Sequence, residues 1–159
     1  DRVILPGVGA AAHAMARIDR KGLRNVLKAF DRPLLGICLG QQLLFERSEE
    51  GNAEGLGLLP GSVTRLPASK RTPSPHMGWA KLSGLARSPL LEGVGEDSYV
   101  YFVHSYVCPV DESTIATADY GRPFAAMVAR GAISGCQFHP ERSGAVGARI
   151  LSNFLSLPC

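Results

Sequence analysis

Three short stretches of the chain carry residue types that can do chemistry. Gly36-Ile37-Cys38-Leu39-Gly40 sets a thiol between two glycines, the sulfur counterpart of the Gly-x-Ser-x-Gly elbow. In that motif the glycines permit a turn sharp enough to expose the central side chain. A helix starting just after Cys38 would place positive dipole potential near the sulfur and favour the thiolate, the reactive form. Taken alone the pattern arises by chance in many chains. His139-Pro140-Glu141 adds a base and a carboxylate. In an extended segment residues i and i+2 project to the same side, and Pro140 restricts the bend between them. Glu141 can then orient the imidazole, His139 can take the thiol proton, and Cys38 can attack a carbonyl carbon. A surface His-Pro-Glu turn is the plainer reading of that segment in isolation, and the cysteine elbow tips the pair towards catalysis. Acyl transfer also needs N–H donors for the oxyanion. Leu39 follows the nucleophile, and Pro6-Gly7-Val8-Gly9 is a loop whose glycines let the backbone approach a ligand.

These stretches must be held by regular elements. Val3 to Leu5 reads as a strand, and Ala10 to Phe30 as a helix with Leu23, Val26, Leu27 and Phe30 on the core face. Pro33 to Ile37 reads as a second strand ending at Cys38, and Leu39 to Arg47 as a second helix with Leu43 and Leu44 buried. From Glu49 to Pro75 the periodicity fades into Gly, Pro and Ser, which predicts a surface excursion with one short strand near Val63 to Leu66. Further strands are predicted over Tyr99 to Val107, Thr114 to Ala118, Ala125 to Ala129 and Ile133 to Phe138. Ser143 is a candidate cap for a last helix with Val146, Ile150 and Phe154 facing inward. Strand–helix alternation followed by strands predicts an open, mixed, mostly parallel α/β sheet with helices on both faces. In such sheets sites lie beyond the carboxyl ends of strands, where all three stretches fall.

Composition narrows the rest. A chain of 159 residues with 45% hydrophobic and 19% charged residues can bury one core, and is read as one domain spanning 1–159. Seventeen Lys and Arg against 14 Asp and Glu give +3, too small and dispersed an excess for a nucleic-acid surface. No apolar run approaches the about 20 residues of a membrane span and no secretion signal is present, so a cytoplasmic location is expected. Cys108 and Cys136 read as buried thiols, Cys159 is the last residue, and no C-x-x-C occurs. His13 reads as solvated and His104 as a hydrogen-bonded core group. Nothing stands at metal-ligand spacing, so neither metal nor cofactor is expected.

The motifs together resemble the class I (triad) glutamine amidotransferases, whose Cys-His-Glu site matches Cys38, His139 and Glu141. Pro-Gly-Val-Gly at 6–9, Gly-Ile-Cys-Leu-Gly-Gln-Gln at 36–42, Pro-His-Met-Gly-Trp at 75–79, Tyr-Phe-Val-His-Ser-Tyr at 101–106 and Gln-Phe-His-Pro-Glu-Arg-Ser at 137–143 are similar to the HisH-type glutaminase subunits of imidazole glycerol phosphate synthase. Pro-His-Met-Gly-Trp discriminates most, and the Val8 loop differs from the Pro-Gly-Pro or Gly-Gly-Pro loops usual in anthranilate and GMP synthase glutaminases. Departures are Ala11, Ala12, Ala80 and Arg142, none in the triad. The resemblance implies a flavodoxin-like fold without its first strand–helix unit, so that a segment of about 30 residues is expected ahead of Asp1, and 1–159 by itself is expected to be poorly soluble or less stable than a version extended upstream. It implies glutamine contacts from Gly9, Gln42, Glu50, Ser105 and Tyr106, and oxyanion donors at Leu39 and at Val8 or Gly9. It also implies a partner-facing surface at Trp79, Tyr101 and Arg142. The implied reaction is glutamine hydrolysis through a cysteinyl thioester, with ammonia passed to a HisF-type (β/α)8 cyclase. The glutaminase of another ammonia-using synthase, or a catalytically silent interaction module, are the competing readings.

Overall fold

The computed structural model describes residues 1–159. In chain order the elements are β1 (Val3–Gly7), α1 (Ala11–Arg20), α2 (Leu23–Lys28), β2 (Leu34–Cys38), α3 (Leu39–Leu43), β3 (Phe45–Ser48), β4 (Ala53–Glu54) and β5 (Leu59–Arg65). They continue with β6 (His76–Lys81), β7 (Tyr99–His104), β8 (Tyr106–Val107), β9 (Thr114–Asp119), β10 (Pro123–Arg130), β11 (Ile133–Cys136) and α4 (Gly144–Ser156). The central sheet has the order β1-β2-β11-β10-β9. It is mixed, as expected, but its pairings divide evenly and are not mostly parallel: β1–β2 and β2–β11 are parallel, while β10 pairs antiparallel with β11 and β9. A second sheet, β4-β3-β5-β8, and the β6–β7 pair complete the layers.

Strand alternation sends neighbouring side chains of the central sheet to opposite faces. Leu34 therefore joins the cluster containing Met15, Ile18, Leu39 and Phe45, while Leu35 joins that of Phe102, Phe138, Ile150 and Phe154. Each fully buried Leu or Phe contributes about 1.5–3 kcal/mol relative to exposure. α1 presents Ala11, Met15 and Ile18 to the first cluster, the spacing of one helical face. α4 presents Ile150 and Phe154 to the second. No helix is long and apolar enough to cross a membrane.

Four further expectations are corrected. The predicted helix over 10–30 is two helices, because Gly22 adopts a left-handed φ of 67° and resets the helical phase. Leu23 and Val26 are consequently exposed, and of their stripe only Leu27 is buried, with Phe30 partly so. The second helix stops at Leu43 because tertiary bonds capture its next carbonyls. Leu43 O accepts from Leu56 N, Leu44 O from Leu58 N and Leu59 N, and Phe45 O from Gly57 N, so the chain turns into β3. The 49–75 excursion is not wholly superficial, since β5 pairs with β3 and β8 and buries Leu59 and Val63, with Leu56 and Leu66 beside them. Ser143 occupies the N-cap position of α4, yet its hydroxyl makes no cap bond; it donates to His139 O at 2.7 Å and accepts from Tyr101 N at 3.0 Å. β6 has no counterpart in the sequence reading.

The tightest backbone approach lies at the β2–α3 turn. A Cβ on Gly40 would stand 1.8 Å from Leu5 O, and one on Gly36 2.6 Å from the Gly40 backbone. Gly40→Ala is therefore expected to cost at least about 2–3 kcal/mol in urea unfolding, while Gly95→Ala, where nothing lies within 4 Å, should stay within about 0.5 kcal/mol.

Candidate active site

Cys38 closes β2 and precedes α3, at φ 54° and ψ −111°. A non-glycine residue held there carries backbone strain of about 1–3 kcal/mol, which the surrounding structure must enforce. Enforcement comes from β1, which pairs with β2 in register from Val3↔Leu34 to Gly7↔Cys38, and from the close packing at Gly36 and Gly40. The turn points the sulfur into a cavity of about 270 Å³ at the carboxyl ends of β1 and β2. Val8, Gly9, Leu39, Gln42, Glu50, Ser105, Tyr106 and His139 line the same cavity. The three stretches singled out in the sequence thus converge on one space.

His139 Nδ1 donates to Glu141 Oε1 at 2.8 Å, which leaves Nε2 as the nitrogen available towards the thiol. Glu141 stands outside the cavity lining, with about half of its side chain exposed. The backbone of His139 is clamped on both sides: its N–H donates to Tyr101 O at 2.9 Å and its carbonyl accepts from Ser143 Oγ. The Cys38 thiol donates to Val103 O at 3.7 Å, and Gln137 Nε2 lies 3.8 Å from the sulfur. Two carbonyls of β7 therefore hold both sulfur and imidazole backbone. The Leu39 N–H favours the charged form of the sulfur, while neither the Val8 nor the Gly9 N–H is used by another backbone group.

The helix start does favour the thiolate, through the Leu39 N–H, but burial outweighs it. Burial disfavours the charged form and pushes the Cys38 thiol up to about 11, outweighing the Leu39 N–H, and the nearby Glu141 carboxylate pushes the same way. α3 has only five residues, so little dipole accumulates behind it. Burial raises Cys108 to about 12 and pushes Cys136 well above the ordinary thiol value, in keeping with inert core thiols.

Gln42 lines the cavity, but its amide nitrogen is engaged by Tyr106 O and Gln137 Oε1, each at 2.9 Å. Glu50 takes the Ala11 N–H on Oε2 at 2.7 Å. His104 is the hydrogen-bonded core group expected: its Nδ1–H donates to Tyr106 O at 2.9 Å, and its Nε2 accepts from His76 Nδ1–H at 3.1 Å. Burial lowers His104 to about 3 and His76 to about 4, keeping both rings neutral. Trp79, Tyr101 and Arg142 lie outside the cavity as one cluster, the Trp79 and Tyr101 rings 5.9 Å apart and the Arg142 guanidinium 5.0 Å over Tyr101. Gln137 and Val103 have no role in the sequence reading. The signal in the sequence for Gln137 is an amide inside an apolar run two residues before His139, the parity that puts both on one side.

Residues 1–157 match the family described as Glutamine amidotransferase class-I. The chain belongs to that family. Its relatives include proteins named imidazole glycerol phosphate synthase subunit HisH, from Xylella fastidiosa (strain Temecula1 / ATCC 700964) at 54% identity and from Xanthomonas euvesicatoria pv. vesicatoria (strain 85-10) at 53%. Each match covers 98% of this chain and 78% of the relative. Among solved structures, that of a putative GMP synthase component from Thermoplasma acidophilum superposes with a TM-score of 0.71 at 19% identity, covering 97% of this chain and 70% of that one. Another, of a glutamine amidotransferase, gives 0.70 at 20% identity, covering 97% and 77%. These last two establish the fold.

For this amidotransferase, the raised thiol has a direct test. Only about 10⁻⁴ of Cys38 is thiolate at pH 7 when its titration lies near 11, and that fraction grows tenfold per pH unit. Alkylation of Cys38 by iodoacetamide, followed by mass spectrometry, should be slow at pH 7 and accelerate about tenfold per unit up to pH 9.5. A rate that levels off near pH 8 contradicts the burial argument.

Proposed function

We propose that this chain is the glutaminase subunit of an imidazole glycerol phosphate synthase, with Cys38 as nucleophile, His139 as general base and Glu141 as its orienting partner. The observation that carries the reading is one cavity lined by Cys38 and His139, with His139 oriented by Glu141, in a chain 54% identical over 98% of its length to a HisH subunit. Glutamine enters with its α-ammonium at Glu50 and its α-carboxylate at the Ser105–Tyr106 turn. His139 Nε2 takes the thiol proton as sulfur adds to the side-chain amide carbon. The Leu39 N–H and the Val8 or Gly9 N–H receive the oxyanion. Collapse breaks the C–N bond, and the imidazolium returns its proton to the departing nitrogen, giving ammonia and a thioester. Water, deprotonated by His139, then cleaves the thioester to glutamate and restores the thiol. Because the free thiol is held protonated by burial, attack needs His139 in place and the leaving amide bound.

Ammonia passes to a synthase partner, a HisF-type (β/α)8 cyclase, that forms imidazole glycerol phosphate in histidine biosynthesis. The face offered to it is the outward side of the β6–β7 pair. There Met77, Trp79 and Tyr99 are exposed at 63%, 55% and 53% beside Tyr101 and Arg142. Apolar and aromatic side chains with one Arg are the composition of an interface centre.

With the cyclase present, Cys38→Ala should abolish glutamine hydrolysis and His139→Ala should lower it on the order of 10²-fold or more, while Cys136→Ala retains it. Equal losses from Cys38→Ala and Cys136→Ala would sink the assignment of the nucleophile. Co-purification with the cyclase tests the partner, and Trp79→Ala with Arg142→Glu should weaken that complex about tenfold or more.

A further inference from the structure

Helix α1 starts without a cap of its own. Ala10, at its N-cap position, offers no side-chain acceptor, and the first turn contains no acidic residue. The first N–H groups of a helix lack intrahelical partners and need acceptors from elsewhere. Here the acceptor comes from 39 residues away, where Glu50 Oε2 takes the Ala11 N–H at 2.7 Å. Glu50 is itself held in the 3₁₀ turn Glu50–Asn52, its N–H donating to Ser48 Oγ at 3.1 Å. The same residue lines the cavity with Cys38, Val8 and Gly9.

Between Gly7, paired with Cys38 through β1, and Ala11, bound by Glu50, lie only Val8, Gly9 and Ala10. Val8 is 83% exposed, so packing of its side chain does little to fix the segment. We infer that Glu50 is a positioning residue for the oxyanion loop, anchoring its downstream end through Ala11 while its second oxygen faces the substrate. The inference rests on the reading of Glu50 as acceptor for the glutamine ammonium and of Val8 or Gly9 as an oxyanion donor. A carboxylate can serve both tasks at once, because each oxygen accepts separately. Glutamine, by fixing the carboxylate through Oε1, then fixes the loop through Oε2. The substrate that needs the oxyanion donors steadies the segment that supplies them.

Glu50→Gln and Glu50→Met separate the two tasks. The glutamine side chain keeps an oxygen for the Ala11 N–H but carries no charge; methionine matches the length and offers no oxygen acceptor. Steady-state glutamine hydrolysis is measured on the full chain, alone and with the cyclase. Both variants are expected to raise KM about tenfold or more through loss of the ammonium partner. Glu50→Met should in addition show kcat about tenfold below that of Glu50→Gln, and faster amide exchange at Ala11. Equal kcat values in the two variants overturn the positioning role, whatever their KM. A kcat gap between them with KM unchanged in both supports the positioning role and removes Glu50 from ammonium binding. Glu50→Asp keeps the charge but withdraws it by one methylene, so a wild-type kcat in that variant also overturns the proposal.

Discussion

The arrangement depends on a place where two backbones touch. Gly40, in the first turn after Cys38, lies so close to Leu5 O that no side-chain carbon fits between them, and Gly36 is closed off in the same way by Gly40. This contact locks β1 against the β2–α3 turn and holds Cys38 at a positive φ that, among the non-glycine residues, only Asn52 shares. Strain of that kind persists only where neighbours over-determine the backbone. From it follow the exit of the thiol into the cavity, the placing of Leu39 in its lining, and that of Val8 and Gly9 beside the same opening.

β7 supplies the second constraint. Its even-numbered side chains, Val100, Phe102 and His104, enter the core, while Tyr99 and Tyr101 face outward. Its carbonyls bind elsewhere: Tyr101 O holds the His139 N–H and Val103 O holds the Cys38 thiol. One short strand thus contributes to the core, to the outward aromatic cluster and to the distance between proposed nucleophile and base. The neutral His76–His104 pair fastens its end, because the His104 Nδ1–H bond to Tyr106 O shapes the turn at Ser105.

Electrostatics in the cavity follow burial more than dipoles. The Cys38 thiol is raised to about 11 and the two buried histidines are lowered to about 3 and 4, both in the direction that removes charge from a low-dielectric interior. For the proposed chemistry this means a thiol that stays protonated and unreactive until a base acts on it. It also means that charge first develops where N–H donors face it, at Leu39 and along the Val8–Gly9 loop.

Much of the site was legible in the chain as written. Cys38 between two glycines, His139 and Glu141 around Pro140, and the Gly7–Gly9 loop are local motifs whose chemistry follows from residue type and spacing, and the folded chain brings Cys38, His139, Val8 and Gly9 to one cavity with Glu141 behind the imidazole. The last helix and four of the later strands were equally readable, because each has its period in consecutive residues. What only tertiary structure decided depends on partners distant in sequence. The second helix ends at Leu43 because Leu56, Leu58 and Leu59 capture the following carbonyls, and β5 emerges from a Gly- and Pro-rich stretch because β3 and β8 supply its pairing. Ser143 bonds His139 and Tyr101 in place of the cap of α4, Glu50 caps a helix 39 residues away, and Cys38 is protonated despite its helix start. Hydrogen bonds and desolvation of this kind are set by what lies across a contact, which local spacing does not encode.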